Sequence, residues 1–134
     1  VIEYFNRTEI KDVLKEWHRV LKPAGILRLA VPDFQAMAHL YVEGKYPLDQ
    51  FLGPLYGMMP MSEETIYHRT TYDFDSLKSV LEASGFDNIG KYDWRETEHA
   101  EYDDHSQAYL PHLDKEYGTL ISLNVEATKG SSYE

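Results

Sequence analysis

Polar side chains capable of proton transfer occur at two places near the middle of the chain. Asp33 directly follows an apolar run, where its carboxylate could act as a general base, although a helix N-cap is the commoner role of such a residue. His68 could take a proton from a hydroxyl or amine, and Arg69 could bind an anionic group. Tyr72 and Asp73 complete this cluster. The alternative is that these are polar surface residues without a role in a site, and that Asp73 caps a helix. We interpret His68 and Asp33 as candidate catalytic residues, and Arg69 and Tyr72 as candidate substrate-binding residues.

A further polar cluster lies in the segment 95–118, which is long, polar and rich in tyrosine. A connection of this length inside a compact domain usually carries function or is disordered, and its tyrosine and proline content favours order. Carboxylates, hydroxyls and aromatic rings together suit a polar acceptor such as a sugar, whereas the alternative is a solvated acidic loop. The candidate substrate-binding residues in this segment are Asp103, Asp104, Ser106 and Tyr109.

The same segment allows an alternative interpretation as the site of a metal-dependent hydrolase. Its potential ligands are Glu98, His99, Asp103, His105 and His112. Their spacing matches no known helical pair of metal ligands, and the chain has no cysteine for a thiolate zinc site. We therefore predict no metal.

The elements that must position these residues follow from the apolar periodicity. Steps of three and four residues indicate amphipathic helices, alternation indicates a half-buried strand, and a short continuous apolar run such as residues 26–31 suits a strand covered on both faces. Residues 58–61 are predicted to form a loop with adaptable apolar character. Helices are predicted over residues 6–21, 33–42, 47–52 and 73–85, and strands over 25–32, 88–94 and 120–128.

Composition excludes several classes of protein. A net charge of −10 argues against nucleic acid and against an anionic membrane surface, because both need clustered Lys and Arg. No apolar run approaches the roughly 20 residues that span a bilayer, and no signal peptide is visible, so we expect a soluble, cytoplasmic protein without a membrane partner. Residues 1–129 are predicted to form one domain and 130–134 a tail; the start at Val1, without Met, suggests a fragment.

Three stretches resemble class I S-adenosylmethionine-dependent methyltransferases. Residues 19–27 have the sequence RVLKPAGIL, which resembles the motif in which a helix ending R-V-L-K-P-G-G leads into the fifth strand; Ala24 replaces the first glycine. Glu3 and its apolar neighbours resemble the segment after the fourth strand, where Glu-His is common, and Tyr4 stands at the histidine position. Residues 81–86 resemble the helix end before the sixth strand. The finer pattern is similar to predicted methyltransferases found near glycan-synthesis functions, through residues 31–34, 72–73 and 122–127.

The resemblance implies an α/β fold, namely the C-terminal half of a Rossmann-like methyltransferase sheet, with the fifth to seventh strands and their flanking helices. The irregular segments 1–5, 32–71 and 95–118 would then follow the fourth, fifth and sixth strands and gather at one edge of the sheet, where ligands bind in such folds. The cofactor of the full-length enzyme would be S-adenosylmethionine, with Glu3 as a candidate cofactor-binding residue. The chain's eight glycines never occur as Gly-x-Gly, so we do not expect this chain alone to bind that cofactor in the family's manner.

The resemblance implies that this chain is the acceptor-binding portion of a methyltransferase, which transfers methyl to a small molecule or sugar-like acceptor. We expect no catalysis by this chain alone. The alternative is a non-catalytic, self-associating binding module derived from the same scaffold. Without a fourth strand, residues 26–31 would form an apolar sheet edge, and such edges seek another strand. We therefore expect a homo-oligomer, formed by pairing these edges across a two-fold axis.

Overall fold

The computed structural model describes residues 2–57, 59–61, 64–97, 105–111 and 114–130. Within these ranges the chain is mixed α/β, which confirms the predicted class at this level. The α-helices are α1 (Glu9–Val20), α2 (Phe34–Val42), α3 (Asp49–Tyr56) and α4 (Phe74–Ala83). The strands are β1 (Ile26–Pro32), β2 (Met59–Met61), β3 (Glu64–Ile66), β4 (Asp87–Lys91), β5 (Tyr109–Leu110), β6 (Thr119–Leu120) and β7 (Ser122–Thr128). Short 3-10 helices cover Ile2–Tyr4, Trp94–Glu96 and His105–Gln107.

The central feature is a three-stranded sheet in the order β1-β7-β4. β7 lies in the middle and runs antiparallel to both neighbours, so β1 and β4 run parallel to each other. The register between β1 and β7 is continuous from Ile26 opposite Thr128 to Pro32 opposite Ser122. Two further pairs, β2 with β3 and β5 with β6, are short antiparallel hairpin-like ladders.

The main hydrophobic core lies on one face of this sheet, under α1 and α4. Each helix buries a stripe of residues three or four positions apart, and β1 and β7 contribute alternate residues to the same core. Each fully buried aliphatic side chain of this kind stabilises the fold by about 1.5–3 kcal/mol. The buried contributors are Ile10 and Leu14 from α1, Leu77 and Leu81 from α4, Leu29 and Val31 from β1, and Leu123, Val125 and Ala127 from β7.

The opposite face of the sheet is polar, and the expectation that β1 is covered on both faces is wrong for the first residues of the strand. Ile26 is 51% exposed, and the Arg28 guanidinium lies 3.3 Å from the Glu126 carboxylate across the strands. Buried polar groups on this face are satisfied within the chain: Asn124 accepts a hydrogen bond from the Ser122 hydroxyl and donates one to the Ser106 carbonyl. Alternation along β7 therefore separates an apolar face from a hydrogen-bonded one.

A second, smaller core lies beyond the carboxyl end of β1. It joins α2, α3, β5 and the residue before β7, through Met37, Leu40, Phe51, Leu110 and Ile121. α2 starts directly after β1, as predicted. α3 does not end at Gly53-Pro54 as predicted but continues to Tyr56 with Pro54 inside it.

Packing explains the extra turn of α3. Pro54 lacks the N–H that would bond to the carbonyl four residues earlier, yet Phe51 and Leu55 anchor the helix on both sides of it in the second core. The segment 58–61, predicted as a loop, contributes β2, which pairs with β3. No helix in the described ranges combines the length and apolar character needed to cross a membrane.

Candidate functional site

A cavity of about 470 Å³ lies at the carboxyl end of β1, which is a size typical of small-molecule sites. All three irregular segments named from the sequence contribute to its walls. Its lining residues are Glu3 and Tyr4 from the first 3-10 helix; Ala30, Val31 and Pro32 from β1; Gln50, Gly53, Pro54 and Gly57 from α3 and its end; His68; Ala108, Tyr109 and Leu110 from β5; and Ile121 and Ser122 at β7.

His68 is the best-anchored polar side chain of this cavity. Its backbone N–H donates to the Tyr56 carbonyl at 2.6 Å, and its imidazole Nδ1 lies 3.1 Å from the Leu55 carbonyl oxygen. A carbonyl only accepts hydrogen bonds, so this contact keeps a hydrogen on Nδ1 and leaves the Nε2 lone pair available in the neutral ring. The Tyr4 ring packs edge-on against the imidazole with 4.7 Å between centroids.

Gly57 makes room for this imidazole. Its φ of +57° is in the left-handed region, and a Cβ at this position would lie 2.5 Å from His68 Nε2. Any side chain at residue 57 would therefore displace the ring, in addition to the strain of the backbone conformation. The sequence contains a signal for this residue, because a glycine is common just after a helix. The prediction that α3 ends at Gly53-Pro54 does not use this signal.

Glu3 lies in the same cavity, with its side chain 5% exposed and its Oε2 atom 3.8 Å from His68 Nε2. That separation is too long for a hydrogen bond but close enough for a carboxylate to stabilise a protonated imidazole. The Glu3 carbonyl also accepts a hydrogen bond from the Arg69 backbone N–H at 2.8 Å, which ties the two segments together. The candidate cofactor residue and the candidate base thus lie side by side, and the cofactor role of Glu3 stays a prediction.

Tyr109 forms another wall of the cavity and is fixed from behind. Its hydroxyl accepts a hydrogen bond from the Trp94 indole N–H at 3.3 Å and one from the Arg95 guanidinium at 3.1 Å. Arg95 and Lys115 both lie near the Trp94 ring, with the cationic atoms 4.6 and 5.2 Å from its centroid. The aromatic wall is therefore rigid, and the associated cations lie outside the cavity lining.

Two predicted site residues lie away from the cavity. Asp33 does not line it: its Oδ1 accepts a hydrogen bond from the Ala36 N–H at 3.2 Å and so caps α2. Arg69 is more than half exposed and forms an ion pair with Glu9 on α1 at 3.3 Å. The structure gives each a structural partner, and neither is brought together with His68 Nε2 in the cavity wall.

Tyr72 and Ser106 are buried and do not belong to the cavity lining. Tyr72 is 1% exposed within the main core, with the Arg7 guanidinium 4.3 Å from its ring centroid, and its hydroxyl has no hydrogen-bond partner among the described residues. Burial raises the pKa of Tyr72; Arg7 opposes this rise and Glu3 adds to it. Ser106 is 1% exposed, and its carbonyl accepts the Asn124 hydrogen bond noted above.

Most of the remaining predicted residues lie outside the part of the chain that the structure describes. Asp103 and Asp104 lie outside the described residues, as do Glu98, His99 and His112 of the metal hypothesis. His105 belongs to the 3-10 helix His105–Gln107. Within the described ranges no three His, Asp or Glu residues are grouped so that they could hold a metal ion.

Other lining residues were not anticipated from the sequence. In the sequence Tyr4 stands out only as a departure from a motif, and Gln50 and Ser122 belong to a predicted helix and a predicted strand. Burial, together with the Glu3 carboxylate, raises the pKa of Tyr4. Their place in the cavity wall depends on the packing of the carboxyl end of β1 against α3.

Comparison of the chain with profiles of protein families, with curated proteins and with solved structures found no match.

Proposed function

We propose that this chain is the acceptor-binding portion of an S-adenosylmethionine-dependent methyltransferase, in which His68 takes the proton from the acceptor. The observation that carries the proposal is the imidazole of His68, whose Nδ1 is engaged by the Leu55 carbonyl while its Nε2 lies beside Glu3 in the wall of the cavity. A hydroxyl or amine nucleophile becomes more reactive as it loses its proton, and a positioned general base contributes about 10²–10⁴-fold to such a step.

The topology of the sheet supports the methyltransferase origin. The resemblance at residues 19–27 and 81–86 assigns β1 and β4 to the fifth and sixth strands and β7 to the seventh. These three strands lie together in one sheet in the order β1-β7-β4, as expected if they are the fifth to seventh strands of a single sheet. α1 and α4, which precede β1 and β4, also pack on the same face of the sheet.

The cavity residues divide the work between proton transfer and positioning. The Leu55 carbonyl fixes the ring orientation of His68, and Glu3 stabilises the imidazolium that forms when Nε2 takes a proton. The low exposure of the Glu3 and His68 side chains strengthens this charge interaction. Tyr4 and Tyr109 offer ring surfaces on which an acceptor can be oriented.

The residues of this chain do not fit S-adenosylmethionine by themselves. The family binds it through a glycine-rich turn after a strand, and no Gly-x-Gly occurs here. When bound, the cofactor supplies an electrophilic sulfonium methyl group.

Calorimetric titration with S-adenosylmethionine tests the proposal. It compares this chain with an extended form expressed together with any coding sequence upstream of Val1. We expect binding by the extended form and none by the short chain. Binding by neither form contradicts the methyltransferase proposal, and binding by the short chain contradicts the assignment of the cofactor site to another segment.

The second candidate function, a non-catalytic self-associating module, is favoured by one observation. β1 is bonded to β7 along one side, and on its other side the described residues form only an isolated bridge between Asp33 and Tyr72. An apolar strand with a free side is a site for pairing with another chain. A failure of both forms to bind S-adenosylmethionine, combined with a stable dimer, would favour this function over methyl transfer.

A further inference from the structure

We infer that Ser122 is a specificity-determining residue of the cavity: its hydroxyl oxygen accepts a hydrogen bond from the methyl acceptor, at a second group besides the one that gives its proton to His68. The ligand class that follows is a small molecule with two hydrogen-bond donor groups, such as a diol or an amino alcohol. The inference deepens the proposed function and rests on it.

Ser122 lies on a sheet face that borders the cavity. In the register between β1 and β7 it stands opposite Pro32, and Asn124 stands opposite Ala30. Directly opposite residues of antiparallel strands project to the same face, so Ser122 shares its face with Pro32 and Ala30, which both line the cavity. Ser122 itself is only 5% exposed, which leaves bulk water little access to its hydroxyl.

The hydrogen of the Ser122 hydroxyl is engaged by Asn124. The hydroxyl donates to Asn124 Oδ1 at 2.7 Å, and Asn124 Nδ2 donates to the Ser106 carbonyl at 2.9 Å. A carbonyl only accepts hydrogen bonds, so one orientation of the Asn124 amide satisfies both contacts. The Ser122 oxygen therefore offers lone pairs to a ligand, and within the described ranges no group donates a hydrogen bond to them.

His68 presents the same polarity from another wall of the cavity. Its Nδ1 hydrogen is held by the Leu55 carbonyl, so Nε2 of the neutral ring accepts. Two acceptors whose hydrogens are already used require two donors on the ligand. Tyr4 and Gln50, which also line the cavity, carry groups that can both donate and accept, so they do not discriminate in this way. A ligand without the second donor would leave the Ser122 oxygen unpaired in a buried position, and sites of this kind reject such analogues.

Uncharged phenols that differ in one ring substituent test the inference. A ring body is chosen because Tyr4 and Tyr109 offer aromatic surface in the cavity. Benzene-1,4-diol and 4-aminophenol carry a second donor, whereas the fluorine of 4-fluorophenol is similar in size but cannot donate. The corresponding 1,3-substituted compounds form a second series with a shorter separation between the two groups.

Each probe is titrated into the chain while the imidazole signals of His68 are followed by NMR, with His68→Asn used to assign them. We expect the diol and the aminophenol of at least one series to bind at least about fivefold more tightly than the fluorophenol of that series, because they donate to the Ser122 oxygen.

Ser122→Ala removes the acceptor, and Ser122→Thr keeps it. In Ser122→Ala we expect the diol to bind no more than about twofold more tightly than the fluorophenol. Ser122→Thr retains a hydroxyl that can donate to Asn124 and should keep the native preference. Ser84→Ala is the matched control, because it removes the hydroxyl that donates to the Val80 carbonyl at the end of α4, away from the cavity lining. It should leave all dissociation constants unchanged.

Three results would overturn the inference. Equal affinity of the native chain for the diol and the fluorophenol in both series rejects recognition of a second donor, and it does so even if Ser122→Ala does not fold. A native preference that persists in Ser122→Ala rejects Ser122 as its source. Absence of any His68 response to all probes rejects the ligand class. S-adenosylmethionine binding by the extended form still decides the proposed function separately.

Discussion

His68 is held on several sides by groups that come from different parts of the chain. The Leu55 carbonyl bonds to Nδ1, Tyr4 packs against the ring, and Gly57 leaves space beside Nε2. Glu3 adds a carboxylate 3.8 Å from Nε2. An imidazole positioned in this way has lost most of its rotational freedom before a ligand arrives, which is the condition for efficient general-base catalysis.

Gly57→Ala should disturb this arrangement. The new Cβ would lie 2.5 Å from His68 Nε2, and the alanine would have to adopt a left-handed backbone conformation. We therefore expect a loss of about 1–2 kcal/mol in unfolding free energy. The His68 imidazole signals should also shift. Gly90→Ala is the control, because a Cβ there has no atom within 4 Å. Equal stability and unchanged His68 signals in Gly57→Ala would show that the ring does not depend on this glycine.

Tyr109→Phe tests the rigid aromatic wall. The ring remains, but the Trp94 indole N–H loses its acceptor while it stays buried, which costs about 1–3 kcal/mol. Urea unfolding followed by fluorescence measures the change. Tyr117→Phe serves for comparison, because Tyr117 is 84% exposed and the change should cost less than about 0.5 kcal/mol. Identical midpoints for the two variants would contradict the hydrogen bonding described for Tyr109.

At the scale of elements, α4 begins with a complete capping box. The Asp73 side chain accepts a hydrogen bond from the Ser76 N–H at 2.8 Å, and the Asp73 N–H donates one to the Ser76 hydroxyl at 3.1 Å. Replacing an aspartate N-cap by alanine costs about 1 kcal/mol, and we expect this loss for Asp73→Ala in urea unfolding at neutral pH. Glu82→Ala, in the exposed last turn of α4, should change stability by less than half as much.

The cap also makes the stability of the fold depend on pH. The Ser76 backbone hydrogen bond is the main cause that lowers the pKa of Asp73. A carboxyl group whose pKa is lower in the folded state contributes its full stability above the unfolded pKa of about 3.9, and the contribution is lost as pH falls through the folded value. Below about pH 4 the difference in unfolding free energy between Asp73→Ala and the native chain should therefore become smaller. A difference in unfolding free energy that stays constant down to pH 2 would contradict this explanation.

The elements with clear local signals could be predicted from the sequence, and those decided by distant contacts could not. α1, α2, α4 and β7 follow from apolar periodicity and from caps such as Asp33 and Asp73. The extension of α3 through Pro54 depends on the second core, to which β5 contributes. The site follows the same rule: His68 was recognisable by its chemistry, but its pairing with Glu3 requires the first 3-10 helix to lie against the segment after β3.

At the scale of the whole molecule, the side of β1 that faces away from β7 leads to a prediction of self-association, because among the described residues it carries only the isolated bridge between Asp33 and Tyr72. Ile26 is exposed, and the strand offers backbone groups to a second copy. Sedimentation should show a dimer at micromolar concentration, and Ile26→Lys should weaken it at least about tenfold, because a lysine on an edge strand opposes pairing. Lys91→Ala, on β4 at the other side of the sheet, is the control. A native chain that sediments as a monomer and binds no dye specific for exposed hydrophobic surface would contradict the prediction.

We propose that the cavity at the carboxyl end of β1 holds a methyl acceptor whose proton goes to His68. The most direct test of this claim is the transfer of labelled methyl from S-adenosylmethionine by the extended form to an acceptor that binds the cavity. The test compares the native protein with His68→Asn, in which the amide can still donate to the Leu55 carbonyl but Nε2 is lost. We predict that kcat falls at least about 100-fold in His68→Asn and is unchanged in Gly90→Ala. Methyl transfer by His68→Asn at the native rate would contradict the claim.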